Sequence, residues 1–166
     1  MISLKNSSAL FVTLFLVVAL PACWPFSTSS KADFALNDSF VLISVNDKNV
    51  HDDCSIKGSI NVALSDLAAF SEKLKKETEI VVYCTNYMCS ASGVAAKQLK
   101  ALGFERVRAY EGGNAQWFQA SFPVEGKCEM PYLKQVMQKP AGENSADVVE
   151  LEELKKKMDE FYYSQK

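Results

Sequence analysis

Apolar residues fall in short runs along this chain, and the spacing inside the runs changes from one to the next. Phe40, Val41, Leu42, Ile43 and Val45 form a run broken only by Ser44. A strand covered on both faces has this pattern, which points to a parallel sheet. Residues 59–62 and 80–83 read as further short strands, the second built from Ile80, Val81, Val82 and Tyr83, and residues 106–110 as a fourth. Between them the period lengthens. Over residues 65–76, Leu67, Phe70 and Leu74 share a face opposite Glu72, Lys73, Lys75 and Lys76, with Ser65 placed as an N-cap. Over residues 90–102, Val94, Ala95, Leu99 and Leu102 share a face, and Gly103 with Phe104 ends the helix. Strand alternating with helix predicts an α/β domain.

The two ends carry other patterns. Residues 9–19 are apolar except for Thr13, follow a stretch with Lys5 and no acidic residue, and are too short for a comfortable membrane span. They read as a targeting signal. Leu20, Pro21, Ala22 and Cys23 then resemble a bacterial lipobox, although proline is uncommon at its second position. That resemblance implies cleavage before Cys23 and acylation of its sulfur, and Trp24 in place of aspartate implies an outer-membrane, periplasm-facing lipoprotein. Ordinary secretion and an uncleaved anchor stay open. The expected organisation is a signal peptide over 1–22, a Ser/Thr-rich tether over 23–33, a globular domain over 34–128 and a helical extension over 129–166. In the extension, residues 130–137 read as a short helix, 139–144 as a linker, and 145–163 as a charged helix with Val148, Leu151, Leu154, Met158 and Phe161 on a stripe. It is expected as a solvated, loosely docked tail, or as a helix that binds a protein partner.

Composition narrows the function. With 166 residues, 48% hydrophobic and 23% charged, there is room for one domain with appendages. A net charge of -2 gives no basic footprint for nucleic acid, and no Gly-rich phosphate loop occurs. The sequence calls for no cofactor. His51, in the charged stretch 47–53, reads as a solvated loop residue rather than a metal ligand.

The chemistry concentrates where the run Val81, Val82, Tyr83 ends in Cys84 and a small-residue loop opens the next helix. A thiol at the carboxyl end of a strand, facing the amino end of a helix, lies in the crevice where open α/β sheets bind ligands. Helix N–H groups stabilise an anion there, so Cys84 is expected to have a lowered pKa and to act as nucleophile. The loop adds Thr85, Asn86, Tyr87, Met88, a second cysteine at Cys89, and Ser90. Backbone amides from Thr85 to Ser90, with the side chains of Thr85, Asn86, Ser90 and Ser92 and the helix terminus, are the expected anion-binding groups, and Tyr87 and Met88 the expected rim.

With these pieces in order, the chain resembles the rhodanese-like domain family from about Phe40 to Gly126. The strand through Val45 is followed by Ile56, Lys57, Gly58, Ser59, Ile60, Asn61 and Val62, similar to the family's Ile-Pro-Gly-Ala-Ile-Asn stretch. Tyr110, Glu111, Gly112 and Gly113 with Trp117, then Phe122, Pro123 and Val124, are similar to its ending, and Tyr83 with Cys84 matches its catalytic strand end. The Gly112 to Val124 segment itself reads as packing: two glycines turn the chain and Trp117, Phe118 and Phe122 cap the core. The resemblance implies a three-layer domain with a central parallel sheet flanked by helices. It implies sulfurtransferase chemistry, in which Cys84 takes sulfane sulfur from thiosulfate, a polysulfide or a persulfide and passes it to a thiol acceptor. Ser44, Asn46 and Ser55 depart from the Asp, Arg and His usual in the family, and the Cys-x4-Cys loop looks like a variant of it.

Three other readings arise, the first of them disfavoured. No Arg or Lys lies between Cys84 and Lys97, so phosphatase and arsenate reductase chemistry, which needs a guanidinium in the loop, is disfavoured. Cys54, Cys84, Cys89 and Cys128 form an even set, which admits a Cys84/Cys89 redox pair and a structural Cys54 to Cys128 bridge, with Cys89 modulating or resolving Cys84. A catalytically silent binding module of the same fold is the third.

Overall fold

The computed structural model describes residues 37–139 and 147–164; the signal, the lipobox with Cys23 and the tether lie outside them. The strands are β1 Phe40–Ser44, β2 Cys54–Ile56, β3 Ile60–Asn61, β4 Glu79–Tyr83, β5 Val107–Tyr110 and β6 Val124–Gly126. The helices are α1 Lys48–Asp53, α2 Leu67–Ser71, α3 Ala91–Ala101, α4 Gly113–Gln119 and α5 Leu151–Met158. A parallel four-stranded sheet runs in the order β3-β1-β4-β5.

Alternate residues of its central strands feed two separate cores, as a pleated strand requires. Val41, Ile43, Ile80, Val82, Val107 and Ala109 point to one face, where Leu67, Ala95, Leu99 and Phe104 cover them. Phe40, Leu42, Val81, Tyr83 and Tyr110 point to the other, under Ile56, Trp117, Val149, Leu154 and Met158. The result is a three-layer α/β domain with its parallel sheet between helices.

Several elements differ from the sequence expectation. The helix expected over 65–76 is α-helical only from Leu67 to Ser71. Leu64–Asp66 is a 3-10 turn, the Ser65 hydroxyl bonds the Asp66 carboxylate instead of capping, and the Ser71 hydroxyl takes the Ala68 carbonyl. Tight bonds from Lys73 N to Phe70 O and from Leu74 N to Ser71 O follow. Competition from local side-chain bonds of this kind shortens helices. In α3 the buried face is Ser92, Ala95, Ala96 and Leu99, while Val94 and Leu102 are exposed, because the two adjacent alanines let the helix lie close on the sheet. His51 is half-buried on α1 rather than in a loop.

A small antiparallel sheet of β2 and β6 was not foreseen, and the Cys54–Cys128 disulfide locks it. The C-terminal segment is not loosely docked. Val148 pairs in parallel with Ala109, through Ala109 N to Asp147 O at 2.8 Å and Val149 N to Ala109 O at 2.9 Å, so this stretch runs along the β5 edge before α5 begins. Leu154 and Met158 are fully buried, worth roughly 2 kcal/mol each by area. Phe161 stacks on Phe40 at 5.2 Å, and the Tyr162 hydroxyl donates to the Phe40 carbonyl. Lys157 joins Arg106 and Arg108 around Glu79, a carboxylate with only 10% of its side chain exposed.

Candidate active site

Cys84 follows β4 directly and is fully buried; α3 starts seven residues later, with Ser90 at its N-cap position. The connecting loop is shaped from within. Asn86, itself buried, accepts the Met88 N–H on its side-chain oxygen at 3.0 Å and the Cys89 N–H on its carbonyl at 3.0 Å. These two amides are therefore spent on the turn and do not face a ligand, unlike the expectation for the whole run from Thr85 to Ser90.

From outside, α4 holds the loop. Asn114 N donates to the Cys84 carbonyl at 3.0 Å and Ala115 N to the Thr85 carbonyl at 2.9 Å. Such close approach needs Gly113, which has φ +58; a Cβ there would lie 2.5 Å from the Cys84 carbonyl oxygen. The Gly112 and Gly113 pair thus does more than pack, and its role in fixing the loop is the part of the site that sequence reasoning missed. Asn114 also ties the loop to the disulfide sheet, since its side-chain nitrogen donates to the Cys54 carbonyl at 2.6 Å. Trp117, by contrast, packs as expected, edge-on to Tyr110 and Phe122 with its indole N–H on the Pro123 carbonyl.

The two loop cysteines are free and face each other. The Cys84 thiol donates to the Cys89 carbonyl oxygen at 3.0 Å and also hydrogen-bonds the Cys89 sulfur. That bond first, and burial second, hold the Cys84 pKa above the ordinary thiol range. The Ser92 hydroxyl, 3.6 Å away, and the Ser92 N–H act in the opposite sense but do not prevail. Cys89 is shifted down. The Cys84 thiol contributes most, against a desolvation cost, and the N–H groups of Ala91 and Thr85 and the Thr85 hydroxyl add to it. The lowered pKa expected at Cys84 therefore belongs to Cys89, because Cys84 has no access to water while Cys89 is half-exposed and collects the loop's donors.

Cys89 opens into a groove of about 510 Å³ bordered by Tyr87, Met88, Ser90, Val94, Lys97 and Lys100. Three of the expected substrate-contacting residues, Tyr87, Met88 and Ser90, lie along it. Thr85 and Asn86 do not: Thr85 bonds the Cys89 sulfur and Asn86 builds the turn. Lys97 and Lys100 rise from α3 into the same groove, which Glu111 and Asp147 also line, with Lys100 paired to Asp147. Among the described residues no cluster suits a metal ion.

This arrangement of strand, buried cysteine, short loop and helix can be compared with known proteins. The family model for the rhodanese-like domain matches residues 30–120, more than half of the chain. The chain belongs to the rhodanese-like domain family. A relative named thiosulfate sulfurtransferase GlpE, from Coxiella burnetii, is 30% identical over 77 residues, which is 46% of this chain and 70% of that protein. Among solved structures, the BH2092 protein of Bacillus halodurans superposes with a TM-score of 0.51 at 27% identity, covering 54% of this chain and 66% of that one. The Alr3790 protein of Anabaena sp. gives 0.50 at 30% identity, covering 54% and 70%. For this rhodanese-like domain the parallel sheet flanked by helices is a family feature.

Proposed function

We propose that this rhodanese-like protein is a sulfurtransferase that moves sulfane sulfur from thiosulfate, a polysulfide or a persulfide to a thiol acceptor through a persulfide on the loop of Cys84 and Cys89. The observation that carries the reading is the pair of free loop thiols, Cys84 at the end of β4 and Cys89 at the mouth of a groove of about 510 Å³. A thiolate is the form that attacks sulfane sulfur. Thr85 and Ala91 amides, aimed at the Cys89 sulfur, are the donors that would hold the persulfide charge. The likeness to a protein named thiosulfate sulfurtransferase supports the donor class.

The test is intact mass after incubation with thiosulfate. A gain of about 32 Da, lost when both loop cysteines become serine, is expected for the persulfide. No gain in the wild type or in either single cysteine-to-serine variant sinks the proposal.

We further propose that the domain works in the cell envelope, anchored through acylated Cys23. The Cys54–Cys128 disulfide supports this, since such bonds persist in oxidising compartments. Metabolic labelling with a fatty acid should mark the wild type and not Cys23→Ala; equal labelling, or none in either, removes the anchor.

A further inference from the structure

Asn114 stands between two parts of the molecule that are far apart in sequence. Its backbone N–H donates to the Cys84 carbonyl at 3.0 Å, and the next amide, of Ala115, to the Thr85 carbonyl at 2.9 Å. Its side chain turns the other way. The amide nitrogen donates to the Cys54 carbonyl at 2.6 Å and to the Tyr132 hydroxyl at 3.2 Å, while the amide oxygen is buried and has no partner among the described residues. Asn114 is 1% exposed, so these two acceptors alone fix the side chain.

Both acceptors depend on the same covalent bond. Cys54 is one end of the Cys54–Cys128 disulfide, and Tyr132, in the 3-10 turn Pro131–Lys134, follows closely on the other. Beside that bond the two segments are joined by the short β2 and β6 ladder, by the Cys128 N–H donating to the Asp53 carbonyl at 2.8 Å, and by the Asp53 carboxylate accepting from the amides of Glu129 and Met130 at 3.2 and 3.1 Å. Cys128 itself has φ +55, a left-handed backbone that a residue with a Cβ adopts at a cost. The disulfide holds it there. Once the bond opens, the segment relaxes out of that conformation and Tyr132 moves with it.

We propose that Asn114 is a positioning residue for Cys84 that couples the sulfur-accepting loop to the Cys54–Cys128 disulfide, so that the protein takes up sulfur quickly with that bond closed and slowly with it open. This rests on the sulfurtransferase reading and adds control by thiol redox state to it. Opening takes two electrons from a dithiol reductant. One thiolate of the reductant attacks the Cys128 sulfur, the partly exposed end, and Cys54 leaves with the electron pair of the broken S–S bond. The reductant's second thiolate then displaces Cys128 and closes the reductant's own disulfide, and Cys54 and Cys128 take up the two protons. The Asn114 amide loses its fixed acceptors, the first turn of α4 follows, and the Cys84 carbonyl held by that turn shifts, taking the loop out of line with an incoming donor. Asn114 does not border the groove beside Cys89, so the chemical step suffers and donor binding does not.

The test follows sulfur loading of the full-length protein from thiosulfate by intact mass, with the loop thiols reduced and the Cys54–Cys128 bond either intact or opened with dithiothreitol that is then removed under anaerobic conditions. The gain of about 32 Da is expected roughly ten-fold more slowly in the opened form, the worth of one hydrogen bond, with the half-saturating thiosulfate concentration unchanged. Closing the bond again should restore the rate. Asn114→Ala is expected to load as slowly as the opened wild type whether its bond is open or closed. Glu79→Gln, which weakens the fold elsewhere and leaves Asn114 in place, should load at the wild-type rate with its bond closed. Equal rates in the closed and opened wild type overturn the coupling and leave sulfurtransfer standing. A response to the bond that survives in Asn114→Ala overturns the part given to Asn114, and a rise in the half-saturating concentration at an unchanged limiting rate overturns positioning. Slow loading by Glu79→Gln ties the rate to stability and overturns the coupling as well. No gain in any form removes the sulfurtransferase reading itself, and the proposal with it.

Discussion

Gly113→Ala tests whether α4 holds the Cys84 to Cys89 loop in place. Gly103 and Gly113 both have left-handed backbones and differ in what surrounds them. At Gly103, φ is +88 and nothing lies within 4 Å of an added Cβ. At Gly113, φ is +58, and the Cβ would meet three backbone atoms, the Cys84 oxygen at 2.5 Å, the Thr85 carbonyl carbon at 2.7 Å and the Asn86 nitrogen at 2.8 Å. Both alanines incur the left-handed penalty of about 1 to 2 kcal/mol, and both lower the entropy of the unfolded chain, so these effects largely cancel between them. The overlap at Gly113 adds about 2 kcal/mol, because backbone cannot rotate out of the way as a side chain can. Urea unfolding at constant m should therefore place Gly113→Ala about 2 kcal/mol below Gly103→Ala. The loop must also shift by some tenths of an ångström, which carries the Thr85 donors away from the Cys89 sulfur. Alkylation of Cys89 at neutral pH should slow in Gly113→Ala alone. Equal stability losses in the two variants, or a destabilised Gly113→Ala whose Cys89 alkylates at the wild-type rate, would refute the link between α4 and the thiolate.

Three other outcomes follow from the same structure. Cys128→Ser opens a disulfide spanning 74 residues, whose loop-closure entropy corresponds to roughly 4 kcal/mol, and urea unfolding should show most of it; a loss under about 1 kcal/mol would contradict the entropic account. Burial would raise the Glu79 pKa, but Lys157, Arg108 and Arg106 outweigh it and hold it below the ordinary carboxylate range. A depressed folded-state pKa stabilises above the unfolded value and is lost as pH falls through the folded one, so Glu79→Gln should cost about 1 to 3 kcal/mol at pH 7 and progressively less in acid. Stability losses independent of pH would argue against it. With Cys89 drawn down to about 5, its alkylation rate should be flat at neutral pH and fall only as acid passes through that value, whereas a midpoint near that of a free thiol would discard the shift.

The legible parts of this fold are those in which one local period decides the answer. The strands around Val41, Ile80 and Val107 declare themselves through β-branched runs, and Gly103 ends α3 where a left-handed residue is required. Helix faces were harder, because Ala95 and Ala96 carry little hydrophobic weight although they are what the sheet accepts. The β2 and β6 pair was invisible: two strands of three residues, far apart in sequence, owe their existence to one disulfide and a shared edge. Within the site, the loop and both cysteines could be read, but not which thiol keeps the proton. That depends on Cys84 lying beneath the Cys89 carbonyl, a contact created by the turn at Asn86 and the grip of α4, and no spacing rule reports it.

The last stretch of the chain has a consequence for timing. Val149, Leu154 and Met158 complete one of the two cores, and Cys54 must wait for Cys128 before the small sheet can be sealed. During synthesis the sheet can begin to form once β5 has emerged, yet one face stays uncovered until residues 149–158 arrive. A ribosome that stalls before them releases a chain with Phe40, Leu42 and Val81 open to any hydrophobic neighbour. Closure of this core is in effect held back until residues 149–158 have been made.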